Sequence, residues 1–118
     1  MTKSEMNIKE KAQAHFKAKL AGEQLSLHVA EWDCDIYFSA TSSMATEAII
    51  LKLTTEGKTA EALVESIIQK SLNKDGKRLF ADTDRAMLMN EVDPSVLIKV
   101  ATALNNANSE TVADVEKN

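Results

Sequence analysis

The chain reads as a mainly α-helical domain with one small β-hairpin, an α+β arrangement of about five helices with the hairpin between the first and the second. Apolar residues recur at helical spacing over most of the sequence, a stretch at about 24–38 switches to period two, and Gly, Asp and Pro punctuate the segments. With 118 residues there is room for one core and not for two. A content of 44% hydrophobic and 27% charged residues suits a folding chain. Its interior has to be aliphatic, because Phe16, Trp32, Tyr37, Phe38 and Phe80 are all the aromatic residues it has.

Thr2 and Glu5 have capping-box spacing, and Ile8, Ala12, Phe16 and Leu20 then recur every fourth residue until Gly22. This spacing predicts a first amphipathic helix. From Gln24, Leu25, Leu27 and Val29 alternate with polar residues, and after Glu31 so do Trp32, Cys34, Ile36 and Phe38. A lone two-stranded ribbon is marginal in water, so helices of the same chain or a partner must cover one face. A second helix is predicted from about Ser43 to Glu56, with Ala45, Ala48, Ile49 and Leu53 as its inward stripe and Gly57 as its stop. Ile50 and Leu51 lie off that stripe. An apolar run wider than one helix face calls for cover on two sides, from the hairpin or from another chain.

A third helix is expected from about Thr59 to Leu72, its broad apolar face made of Leu63, Val64, Ile67, Ile68 and Leu72. Asn73-Lys-Asp-Gly76 is a turn signal, since Asp-Gly readily takes positive φ. Asp82 and Asp84 open a short helix with Met87 and Leu88, and Asp93-Pro94 opens the last with a capping residue followed by proline at its first position. The face of that helix is Val96, Leu97, Val100, Ala101 and Leu104. Beyond it the chain turns polar, giving a single domain over 1–107 and a polar C-terminal tail over 108–118.

A net charge of -4 without a basic stripe argues against nucleic acid as a partner. No run is long and apolar enough for a membrane, and the N-terminal stretch lacks the apolar centre of a secretory signal. Cys34 is the single cysteine and sits between Asp33 and Asp35, whose charges disfavour a reactive thiolate and make it a small apolar strand residue. His15 and His28 have no further ligand at zinc spacing, so no metal or cofactor is expected. Ser71, Asn73, Asp75, Gly76 and Asp82 fall at the first, third, fifth, sixth and twelfth positions of a calcium loop. The first lacks its carboxylate, the last has the short Asp, and Lys77 and Arg78 add positive charge, so the segment reads as a turn. Asp82 and Asp84 are explained by the start of a helix, where aspartate meets free N–H groups. With no phosphate loop, nucleophile elbow or zinc helix, the chain is not read as an enzyme. Met44, Met87 and Met89 fit core filling better than an adaptable binding surface.

The order Glu31-Trp32, the strand Asp35 to Phe38, helices, then Leu72-Asn-Lys-Asp-Gly-Lys-Arg-Leu-Phe80 and Asp82-Thr-Asp84 resembles the tail assembly chaperones of long-tailed bacteriophages. Leu104-Asn105 and Val112-Ala-Asp-Val-Glu-Lys-Asn118 look like that family's closing segment, so the resemblance spans roughly 24–118. It implies a protein of the bacterial host's cytoplasm that binds the tape measure protein, keeps it soluble, helps tail-tube assembly and is absent from the mature virion. The major tail tube protein is a further implied partner, and self-association is implied too. Trp32, Ile50, Leu51, Leu79 and Phe80 are then the candidate partner-binding residues. One departure is Asp33, which stands where such chaperones often have Gly soon after the Trp, so a tight turn does not carry over at this point. Glu116-Lys117-Asn118 is compatible with a slippery codon run, which would make this chain the short product of a frameshifted pair. A small helical dimeric regulatory or adapter protein is the alternative reading.

Overall fold

The computed structural model describes the backbone of residues 3–117 apart from residue 23, and the side chains of residues 7–106 apart from the same one. The elements follow in the order α1 (Lys3–Ala21), β1 (Leu25–Val29), a 3-10 turn (Ala30–Trp32), β2 (Cys34–Phe38), α2 (Met44–Thr55), α3 (Thr59–Lys70), a second 3-10 turn (Asp82–Asp84), α4 (Arg85–Asn90) and α5 (Pro94–Lys117). Five helices with an antiparallel hairpin between the first and second are what the sequence predicts. The cap expected at Thr2 lies outside the described residues. Of the segment read as a polar tail, the backbone of residues 108–117 belongs to α5; residue 118 and the side chains of the segment lie outside those described.

The hairpin pairs Leu25 with Phe38, Leu27 with Ile36 and Val29 with Cys34, so the alternating apolar residues share one face. Val29, Ile36 and Phe38 of that face are buried, while Cys34 at its end is exposed. Trp32 belongs to the turn and not to the strand, a correction to the alternation expected from Trp32 onward. Asp33 takes the left-handed conformation with φ of 50°, its N–H donating to Ala30 O at 3.1 Å. A tight turn therefore forms without the glycine, through a residue type that tolerates this region better than most. On the outer face, His28 Nδ1 and Asp35 Oδ1 pair across the strands at 2.7 Å.

Ser43 caps α2, its hydroxyl accepting from the Thr46 N–H at 3.2 Å. At the other end Gly57, at φ 79°, lets the Lys58 N–H donate to Leu53 O and its own N–H to Thr54 O, which satisfies two terminal carbonyls. The stripe of α2 differs from the expected one. Thr46, Glu47, Ile50 and Leu53 are its part-buried residues, whereas Ala45, Ala48 and Ile49 are exposed. Both stripes share Leu53, but the inward face is set by α3, on which α2 packs.

α3 is the central helix, packed on α2, α4 and α5. Ala62, Val64, Glu65, Ser66, Ile67 and Ile68 are buried on it, more than a single face. It stops at Lys70, short of the expected Leu72. Leu72 exchanges backbone hydrogen bonds with Tyr37 at 2.7 and 2.9 Å, adding a one-residue bridge to the free edge of β2. Pairing with a strand already fixed by the core wins over one more helical turn. The Asn73–Gly76 turn forms as expected: Gly76 has φ 84°, and Asn73 Oδ1 accepts from the N–H groups of Asp75 and Lys77 at 2.9 and 3.0 Å. Asp93 opens α5, its Oδ1 accepting from the Ser95 N–H at 2.9 Å.

The core joins Val29, Ile36 and Phe38 of the hairpin to Val64, Ile67 and Ile68 of α3, Leu88 of α4, and Val96, Leu97, Val100, Ala101 and Leu104 of α5. All five residues expected on the face of α5 are buried. The hairpin is thus covered by helices of its own chain, which removes the marginality of an isolated ribbon.

Candidate functional site

The surface of the domain carries several large apolar side chains. On α2, Met44 is 80% exposed, Leu51 63% and Ile49 44%, and on α1 Ile8 is 67% exposed. Leu79 and Ile98 are exposed as well. α2 is part-buried at Ile50 and Leu53 and exposes Met44, Ile49 and Leu51, so its apolar residues spread over more than one helix face. Met44 and Met89 are exposed and Met87 packs on the core, so core filling holds for Met87 alone. Met44 is the first residue after the Ser43 cap, where the helix has no preceding turn to hide it.

A groove of about 330 Å³ lies between α1 and the domain, lined by Phe16 and Leu20 of α1, residues 39–43, Gln69 and Lys70 at the end of α3, Leu72 and Leu104. Polar contacts fix its floor. Lys70 Nζ donates to Glu47 Oε2 of α2 at 2.8 Å and to Asn105 Oδ1 of α5 at 2.9 Å. Asn105 Nδ2 donates to Ser66 Oγ at 2.9 Å, and that hydroxyl donates to Ala62 O at 2.9 Å. Ser42 Oγ donates to the same Glu47 carboxylate. Burial raises the pKa of Glu47, but the hydrogen bonds from Lys70 and Ser42 outweigh it and hold the carboxyl below its ordinary value. The network ties α2, α3 and α5 together beneath the groove.

The candidate partner-binding residues fall into two groups. Trp32 and Phe80 are part-buried and pack against the same core, while Leu51 and Leu79 stand exposed. Ile50 is part-buried on the α3 side of α2. The sequence reading missed Ile8, Ile49 and the groove. Leu51 could be found because it lies off any stripe containing Leu53, whereas Ile49 was assigned inward and the groove depends on where α1 comes to rest.

Burial, with Asp35 and then Asp33, pushes the Cys34 thiol up, away from thiolate chemistry. Asn73 Oδ1 is engaged by its own turn, Ser71 is fully buried, and Asp82 faces Arg78 and Arg85 at 3.5 and 3.8 Å, which breaks up the calcium-loop spacing. Among the described residues, no group of His, Cys, Asp or Glu is placed to hold a metal ion, and no helix is long and apolar enough to cross a membrane.

No protein-family profile matches the chain. No curated protein matches it either. Among solved structures, the tail assembly chaperone of bacteriophage HK97 has a similar fold, with a TM-score of 0.56 and 16% sequence identity over 78% of this chain and 89% of that one. At this identity the likeness is one of fold.

Proposed function

We propose that this chain is a tail assembly chaperone that works by binding and not by catalysis. The observation that carries the reading is the fold it shares with the HK97 chaperone over most of both chains. A second, independent support is the set of exposed apolar residues, Met44, Ile49 and Leu51 of α2 and Leu79 among them, on a domain whose own core is already filled. Such a surface can shield apolar segments of a client while an acidic exterior keeps the complex dissolved.

In this reading the client is the tape measure protein, with the major tail tube protein as a further partner. The chain acts in the cytoplasm of the bacterial host, associates with itself, assists tail-tube assembly and is left out of the mature virion. Residues 1–107 form the domain, 108–118 its polar tail, and a longer frameshifted product accompanies this one. Trp32, Ile50, Leu51, Leu79 and Phe80 remain the proposed contact residues. Trp32 and Phe80 contribute by holding the surface in shape, given their packing on the core.

Co-expression tests the proposal. The tape measure protein encoded with this chain is expected in the soluble fraction only when the chain is present, and less of it with the Leu79→Asp variant than with the wild type. Equal solubility of that client with and without the chain would overturn the reading and favour the regulatory adapter.

A further inference from the structure

Leu72 and Leu104 give the groove an apolar lining, and Leu104 belongs to the core itself. Lys70, which also lines it, is paired with Glu47 at 2.8 Å, so that cation is already matched. A cleft of this kind selects its occupant by shape and apolar surface more than by charge. Here the occupant is α1, and its fit is partial. Phe16 and Leu20, four residues apart on one helix face, border the groove, yet about 330 Å³ beside them stays open. Phe16 is part-buried and Leu20 is 39% exposed, while the other side chains described from residue 7 to residue 21 are exposed. Among the described residues no ion pair joins α1 to the rest of the chain. The helix is thus held by two apolar side chains in space they do not fill, and a helix of this length with so little packing is marginal in water.

We propose that α1 is a latch: it occupies a helix-binding groove in the free protein and gives way to an amphipathic helix of a client that sets two large apolar residues, four apart, against Leu72 and Leu104. α1 is itself the template for that occupant, because Phe16 and Leu20 show the spacing the groove accepts. A client helix that fills more of the open volume buries more apolar area than α1 does, and it displaces α1 without disturbing the core, to which no residue of α1 belongs. With no client bound, α1 covers an apolar lining that would otherwise face water. Such a latch weakens client binding only by the fraction of molecules in which it is closed. The inference deepens the proposed function, on which it rests, by naming the surface and the class of helix it takes. It is tested with a peptide and no tail protein, so the two can fail separately.

The probe is a fluorescently labelled synthetic peptide with the sequence of residues 3–21, standing in for a client helix, and its binding to the full-length protein is read by anisotropy. In the Phe16→Ala, Leu20→Ala double variant, alanine keeps the helix and removes its grip, and both positions lie outside the core. The expected result is that this variant binds the peptide at least about tenfold more tightly than the wild type, whose groove is occupied, with Phe16→Ala alone in between. Adding Leu72→Ala to the double variant weakens the peptide again, because Leu72 lines the groove with its side chain while its bridge to Tyr37 is made by backbone. A scrambled peptide of the same composition, without apolar residues at every fourth position, binds at least about tenfold more weakly than the α1 peptide. Equal affinity of the wild type and the double variant, no binding by the double variant up to about 1 mM peptide, binding that Leu72→Ala leaves unchanged, or a scrambled peptide that binds as tightly would each overturn the latch.

Discussion

Asp33 holds the hairpin turn in the left-handed region, which costs an L residue roughly 1–2 kcal/mol, with aspartate at the low end. Replacing it with glycine removes that cost, so Asp33→Gly is expected to raise stability by up to about 1 kcal/mol, while the β-branched Asp33→Val lowers it by about 1–2 kcal/mol. Thermal melts of the two variants check the difference in sign. Glu65 shows a second residue-scale effect. It is buried at 7% exposure, with Arg85 Nη2 at 2.6 Å and Gln69 Nε2 donating at 2.9 Å. Burial raises its pKa, yet the hydrogen bonds from Gln69 and Arg85 outweigh it and hold the carboxyl below its ordinary value of 4.5. A depressed folded value means the stabilisation is complete above 4.5 and is lost as pH falls through the folded value. Across about pH 3 to 6, Glu65→Gln is therefore expected to lose less stability on acidification than the wild type, read as the slope of melting temperature on pH. Because Arg85 is partly solvated, Glu65→Ala costs only about 1–2 kcal/mol at neutral pH.

Helix α2 presents adjacent isoleucines to opposite environments. Ile50 is part-buried toward α3 and Ile49 is 44% exposed. Truncation should report the difference: Ile50→Ala is expected to cost about 1–2 kcal/mol and Ile49→Ala less than about 0.5 kcal/mol, measured by denaturant unfolding. The opposite order would place the helix in the rotation that the apolar spacing predicts. α3 sets the upper end of the scale. Ile67 is fully buried where α3 meets its neighbours, so Ile67→Ala is expected to cost about 3–4 kcal/mol through the cavity it leaves. The same helix shows why its length was misjudged. Ser71 and Leu72 continue the apolar and polar pattern, but the edge of β2 offers Leu72 two backbone hydrogen bonds that an extra helical turn does not match.

At the scale of the molecule, the radius of gyration is 16.2 Å, against about 13–14 Å for a compact domain of this length, and the longest dimension is 55 Å. Along α1 nearly every described side chain is exposed, so few of them lie against the domain. The amides of α1 are accordingly expected to exchange with solvent far faster than those of α3 and α5, whose opening requires breaking the core.

The sequence by itself determined the elements, because each rests on local chemistry. Asp93-Pro94 starts a helix, Gly57 ends one, Asp75-Gly76 turns the chain, and alternation at Leu25–Val29 marks a strand. The face of α5 was equally legible, since one broad stripe leaves no choice of rotation. What only the tertiary structure decided was how elements with more apolar surface than one face requires divide it. α2 has candidate stripes on several sides, and the position of α3 alone made Ile50 inward and Met44, Ile49 and Leu51 outward. The perfect four-residue spacing of α1 predicts an amphipathic helix but not what it packs on, because spacing fixes the residues that share a face and cannot supply the surface that meets it.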